Sequence, residues 1–490
     1  MTQIPYLIKS WRGGISDENA KGISGSFKFG HSLDIHSRDD TLKCNSSVVT
    51  LDESTISGLI NFFVPASDGT TYAFGANGSI YSIAGDSGDN AVNFVYNDEN
   101  GAIRGAEEWK LSDGNNYLFW ATNTSVARVA LNGALPVPWG AGVATQDYKT
   151  TLDSAEWHTM KKASGELMIA NGNYLATIDY DGNFSPADLN LIPGSLVKCL
   201  EERDDYVIIG SEKQNDSDEG YIWSWIVSAV NWIQKKRIPV KGVNAIINTE
   251  NMVIQGGNKG ELFYSDFVNS VPLSTVPGGG QANPGGVSIE DGLALFGIYG
   301  GSHPGLWSYG RKHKNRPSVL NFEHMLAKTV AGSSISTISA VTVVNDTPLV
   351  SWGTTDGSTS DYGVDMVSST TRAVALYEGL EFNGGSPHLK KGFDSVTVSM
   401  LPLPSGTSFS IKYRKNKQET GGQVAGGWNY AITGETSTTF STAGETEAIF
   451  SIGDSINTYE IGVELNPSGS DTPEITALVT YIAPSSYDHA

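Results

Sequence analysis

Glu107, Glu108, Glu156, Glu201, Glu202, Glu250, Glu290 and Asp291 stand on or beside short apolar runs of this sequence. Two carboxylates facing each other across a channel are the equipment of a glycoside hydrolase, one serving as acid and the other as nucleophile or base. The chain carries 53 acidic residues, however, so acids near apolar runs are expected whatever the function. The sialidase turn S-x-D-x-G-x-x-W is approached only by ASDGTTY (66–72), which lacks the spacing and the Trp. Nucleophilic hydrolysis would need Ser or Cys beside His with an orienting acid. The His residues at 31, 36, 158, 303, 313, 324, 388 and 489 lie in no such context, and no G-x-S-x-G is present. These residues point away from catalysis, and no catalytic residue is assigned.

Metal and cofactor chemistry is equally thin. NDSDEG places Asn215, Ser217 and Glu219 ahead of Gly220 like the start of a calcium loop, but Ile226 stands where a bidentate acid belongs. DYDGN supplies Asp179, Asp181 and Asn183, a set that equally reads as a hairpin turn. His31 and His36 lack zinc-ligand partners at useful spacing. No metal and no cofactor is expected. Cys44 and Cys199 form no disulfide framework and read as buried thiols.

Two groups of residues suit partner binding. Basic clusters stand out against a net charge of −21: Lys235–Lys236–Arg237, then Arg311, Lys312, Lys314 and Arg316, then Lys390–Lys391 and the 412–417 stretch. They are either solvated turns or faces that dock on acidic neighbours. Trp223, Trp225, Trp232 and Trp307 could stack on sugars or fill partner pockets, or simply pack a core. The overall negative field opposes binding to nucleic acid or anionic membranes. No stretch is apolar enough to span a bilayer. The N-terminus shows no secretory h-region, so synthesis in a cytoplasm, without exit by the ordinary secretory route, is expected.

The positioning elements announce themselves as a repeat. GTTYAFGANGSIYSI (69–83), NNYLFWATNTSVARV (115–129), GELMIANGNYLATI (165–178), 205–225, NMVIQGGNKGELFYS (251–265), 293–309 and a looser 347–367 share one phrase of two apolar runs about a turn. The landmarks Tyr81, Ala127, Leu175, Ile222, Leu262, Leu306 and Gly363 step by 46, 48, 47, 40, 44 and 57 residues. That period predicts an all-β chain with a β-propeller over 51–371, of seven blades, or six if the stretched last interval is an insertion. Expected innermost strands are 59–64, 108–112, 157–163, 196–202, 244–250, 286–291 and 339–344, and SVLNFEHMLAK reads as a short helix. From 372 to 490 longer period-two strands predict a jelly-roll-like β-sandwich. Residues 1–50 read as an extended arm, with FKFGHSLDIHS as the strand that closes the propeller.

The arm also carries a resemblance. W-R-G-G-I-S (Trp11–Ser16) and G-S-F-K-F-G-H-S-L-D-I-H-S-R-D-D-T-L-K-C (Gly25–Cys44) resemble the opening of tailed-bacteriophage virion proteins of the podovirus tail-nozzle type. Leu33-Asp34-Ile35 matches the family's first strand, Arg38-Asp39-Asp40 its turn and Thr41-Leu42-Lys43 its return. Cys44-Asn45-Ser46 replaces the usual Arg-Pro-Gly. The resemblance implies a non-enzymatic structural protein of the tail or neck (nozzle, tail tip or adaptor) that docks other tail proteins in a homo-oligomeric ring of the virion. Trp11, Arg12, Phe27 and Phe29 would then reach a neighbouring subunit. The alternatives are a receptor-recognition protein binding host glycans and a polysaccharide-degrading propeller enzyme.

Overall fold

The computed structural model describes residues 4–16, 25–37, 39–84, 92–133, 135–214, 219–356, 359–382, 389–416, 423 and 425–484. It divides into two compact units, one of Val49–Leu306 with Leu326–Val367, the other of Met1–Val48, Trp307–Met325 and Ser368–Ala490.

Seven four-stranded sheets follow one another along the chain. Their first strands are Ile60–Pro65, Gly105–Lys110, Met160–Ala163, Ser195–Arg203, Val243–Asn248, Val287–Glu290 and Ile335–Val344. In the first five sheets each strand pairs antiparallel with its predecessor, as Tyr72↔Ser82 and Ile169↔Ala176 illustrate. Each first strand lies against the first strand of the next sheet, and Ile335–Val344 returns to Ile60–Pro65. This closed circuit of meanders is the topology of a seven-bladed β-propeller. The apolar runs form second and third strands because both their faces are covered. Leu167, Met168, Ile169 and Ala170, for example, are all buried, with alternate residues packing toward the blades on either side.

The seventh sheet ends on Ser46–Asp52, which precedes the first blade in sequence and supplies the outermost strand. Ring closure therefore uses SSVVTLD and not the expected FKFGHSLDIHS. The reason is burial. An outermost strand is half-solvated, as Ser46–Asp52 is throughout, whereas Phe27 and Leu33 are completely buried. The predicted helix is corrected too: Val319–His324 is a strand buried at every position, and only Ala327–Val330 is helical.

The other unit contains two five-stranded sheets. One runs Ile4–Ile8, Ile475–Pro484, Lys391–Met400, Glu447–Ile456, Ile432–Thr433. The second runs Phe29–His31, Ala375–Glu378, Tyr459–Asn466, Ser408–Lys415, Trp428–Tyr430. They face each other through rings, with Phe393 stacked on Tyr459 at 4.2 Å and Phe409 against Phe450 at 5.6 Å. The arm thus adds an edge strand to each sheet of a sandwich, pairing Ile4↔Ile482 and Phe29↔Glu378.

Candidate functional site

Around the propeller's inner circuit Glu107, Glu201 and Glu212 are engaged by lysines of adjacent strands. Lys162 Nζ lies 3.4 Å from Glu107 Oε1, and Lys161 Nζ lies 3.0 Å from Glu201 Oε1. Lys198 Nζ reaches Glu212 Oε2 at 3.1 Å and Asn244 Oδ1 at 3.2 Å, so charge is handed from blade to blade. Burial raises the Glu107 carboxyl, and the two lysines oppose that rise without cancelling it. Burial works to lower the Lys161 ammonium, but the charges of Glu201, Glu107 and Glu202 leave it raised. Glu108 accepts hydrogen bonds from Ser67 N at 3.0 Å and from Ser67 Oγ. A hydrolase carboxylate must face a substrate bond with its proton free to move. These four instead act as fixed acceptors that tie neighbouring strands together.

A second layer of polar ties was not anticipated from sequence. Asn61 Nδ2 donates to Ile103 O at 2.8 Å, Ser339 Oγ donates to Asn61 Oδ1 at 3.0 Å, and Asn244 Nδ2 donates to Gly257 O at 2.8 Å. The His158 ring lies between Ala170 O, 2.7 Å from Nδ1, and Asn123 O, 3.0 Å from Nε2. Burial lowers this imidazole's pKa. The overlooked signal is a polar residue at or just before the start of an inner apolar run.

Elsewhere Ser, His and Glu do converge. Ser308, His36 and Glu323 are all buried. His36 Nε2 is 3.3 Å from Glu323 Oε1 and 3.5 Å from Ser308 Oγ, and Ser308 Oγ donates to the same Glu323 oxygen at 2.5 Å. A hydrolytic triad needs one ring nitrogen to take the hydroxyl proton while the acid orients the other. Here one nitrogen faces both groups and the hydroxyl proton is directed at the carboxylate. Asn45 Nδ2 completes the cluster, donating to Glu323 Oε2 at 2.8 Å. Burial alone would raise Glu323, but hydrogen bonds from His36 and Ser308 and the nearby imidazoles hold it at about 2. The arrangement is a buried acceptor hub under the arm.

The arm residues assigned to a partner are turned inward. Trp11 and Phe27 are buried, Arg12 Nε pairs with Asp40 at 3.4 Å, and half-buried Phe29 lies 6.4 Å from Phe322. Trp223 and Trp225 are buried as well, donating to Ser211 Oγ at 2.8 Å and Ala229 O at 2.9 Å, while Trp232 packs edge-on against Trp223. They present no stacking face, because a third strand covered on both sides consumes both indoles. Of the basic cluster, Arg316 Nη1 donates to His36 O at 3.2 Å and to Ser37 O, and Arg311 Nη1 donates to Lys314 O at 2.9 Å. Lys312 is half-buried and Lys314 exposed. Arg311 and Arg316 are thus occupied in holding backbone of their own unit.

Asn215 and Ser217 of the calcium-like stretch lie outside the described residues, as does Arg38. Asp179 is used in its own turn, accepting from Asn183 N and Nδ2 at 2.8 Å each. Among the described residues no three His, Cys, Asp or Glu side chains are placed to hold a metal ion, and no helix is long and apolar enough to cross a membrane. Cys44 and Cys199 are buried free thiols, and burial pushes Cys44 up to about 11.

No family model and no curated protein matches this sequence. Solved structures similar to it include an extracellular domain described as part of a hybrid two component system of B. thetaiotaomicron, at 15% identity and TM-score 0.45. That alignment covers 76% of this chain and 44% of the other, so the present chain spans less than half of that protein's length. The WD40 repeats of RRP9 align at 13% identity and TM-score 0.46, covering 66% of this chain and 97% of theirs. A chain of the mitotic checkpoint complex aligns at 13% and 0.42, with 66% and 93% covered. At these values the likenesses carry no functional argument. The propeller assignment rests on the strand circuit itself.

Proposed function

We propose that this chain is a non-enzymatic structural protein of a bacteriophage tail or neck, a nozzle, tail-tip or adaptor component that other tail proteins dock upon. The observation that carries the reading is the arm hairpin on which the resemblance was founded. Leu33 bridges Cys44, Asp34 N donates to Lys43 O at 3.1 Å, and Ser37 N donates to Asp34 Oδ1 at 3.0 Å. These contacts, an isolated bridge and two hydrogen bonds, draw 33–34 and 43–44 together as the resemblance would require, and so support the reading. The commitment of Glu107 and Glu201 to lysines supports a scaffold over a hydrolase. The sandwich is read as a jelly roll. With Ile4–Ile8 as first strand and Ala375–Glu378 as second, and the short edge strands Phe29–His31 and Ile432–Thr433 set aside, the sheets run 1-8-3-6 and 2-7-4-5.

In this reading the partners are other tail or neck proteins and further copies of the chain in a ring, and the location is the virion, after synthesis in the host cytoplasm. Contacts fall on exposed turns and blade edges, since the arm's aromatics are spent inside its own unit. Antibody raised against the purified chain should decorate the tail or neck of intact particles in negative-stain micrographs. Particles that contain no such chain by mass spectrometry would overturn the proposal.

A further inference from the structure

A cavity of about 450 Å³ opens on the propeller between blades 1 and 2. That volume falls within the usual range of small-molecule sites. Blade 1 supplies Asp68, Thr70, Tyr72, Ser82 and Val95; the connection between the third and fourth strands of blade 2 supplies Leu131, Leu135, Val137 and Trp139. That connection is 13 residues long, whereas the corresponding ones in the other blades joined this way have 4 to 8. A hairpin needs only a few residues. The excess folds back on blade 1, where Trp139 N donates to Val95 O at 2.7 Å.

The lining is two-sided. One wall is apolar: Trp139 packs 5.9 Å from Tyr72, with Val95, Leu131 and Leu135 beside it. The rim adjoining it at Tyr72 carries oxygen. Tyr72 Oη donates to Asp68 Oδ2 at 2.9 Å and Thr70 N donates to Asp68 Oδ1 at 2.9 Å, leaving each carboxylate oxygen a further lone pair. The Thr70 and Ser82 hydroxyls add groups that can donate or accept. Among the described residues no Lys, Arg or His lines the cavity, so an anionic ligand finds no counter-charge there. Trp139 and Tyr72 are only 6% and 4% exposed, their faces packed on Tyr96, Trp120 and each other, so they form a floor and not a cage for a cation. A ligand that matches has one apolar C–H face and one edge of hydroxyls.

We propose that this cavity binds a single neutral pyranose, its C–H face on the more accessible Leu131, Leu135 and Val137 above the Trp139 floor and its hydroxyl edge on Asp68 and Thr70. The site requires nothing of the virion assignment. Methyl β-glucopyranoside, methyl β-galactopyranoside and N-acetylglucosamine, each titrated into the full chain, are the probes, with saturation-transfer NMR as readout. At least one should show saturable transfer at millimolar concentration, strongest on the ring C–H protons. Val137 is 58% exposed at the mouth, so Val137→Arg should abolish transfer while leaving the melting midpoint unchanged. Asp68→Ala, which removes a charged acceptor, should weaken binding about tenfold. Absence of saturable transfer from all three sugars would overturn the proposal. So would transfer that survives Val137→Arg undiminished, or a stronger response to tetramethylammonium than to every pyranoside.

Discussion

Gly105 lies where the inner strand of blade 2 meets the backbone entering blade 3, and Gly105→Ala tests whether the ring is closed as tightly as described. A Cβ there would fall 2.5 Å from the His158 carbonyl carbon, nearer still to its oxygen, and 3.1 Å from Thr159 N. Real Cβ contacts essentially never fall under 3.0 Å, so the two backbones must part by more than half an ångström. The neighbouring bond from His158 N to Arg104 O, now 2.9 Å, would then weaken or break. Losing that bond costs about 1 kcal/mol and forcing apart packed strands about 1–3 kcal/mol more. A blade cannot simply step aside, since displacing it from one neighbour presses it on the other. The expected loss is roughly 2–4 kcal/mol, a midpoint about 4–16 °C lower at the roughly 2–4 °C per kcal/mol typical of large domains. Gly114→Ala is the control: it has nothing within 4 Å but holds φ +86, so it carries only the left-handed penalty of about 1–2 kcal/mol. Differential scanning fluorimetry at one heating rate compares the pair. If Gly105→Ala melts at or above Gly114→Ala, the tight inter-blade approach does not exist.

Three further outcomes follow from buried polar groups. Trp352→Phe removes the donor 2.7 Å from fully buried Asp365 Oδ1 and should cost about 2–4 kcal/mol in urea unfolding, with Asp365→Asn much milder in the same background. Burial lowers the His158 pKa from its ordinary 6.5, so the unfolded chain binds the proton more readily. Stability should fall as pH drops below about 6.5, and a denaturant midpoint measured against pH should flatten in that window for His158→Gln. Glu323 is depressed from 4.5 to about 2, so its contribution is complete above 4.5 and disappears as pH falls through about 2. Glu323→Gln should lose roughly 3 kcal/mol at neutral pH and show a shallower acid limb by circular dichroism.

The repeat made the propeller legible because its second and third strands are apolar on both faces, and all seven expected inner segments overlap observed first strands. Period-two alternation failed where it competed with burial. Phe27, Leu33 and Ile35 have the pattern of a strand, but nothing in the pattern says which sheet will cover them. VLNFEH is a buried strand despite Asn321, Glu323 and His324, because His36, Ser308 and Asn45, distant in sequence, satisfy Glu323. The indoles at 223 and 225 were ambiguous for a similar reason, since a sequence does not show Ser211 Oγ waiting across the hairpin. The oxygen-rimmed cavity had no motif to announce it. Its one trace was the long 131–143 connection, whose length a period of repeats absorbs without comment.

The sandwich unit is built from three separate stretches of chain, and its edge pairing Ile4↔Ile482 spans almost the whole sequence. A ribosome adding about 5–20 residues per second needs roughly half a minute or longer to make the second strand after the first. Through that interval Ile4–Ile8 lacks the strand it pairs with, while every blade from the first to the sixth can complete its hairpins as it emerges. Translation speed, and any holdase acting on the nascent N-terminus, would therefore bear on the yield of this unit far more than on that of the blades.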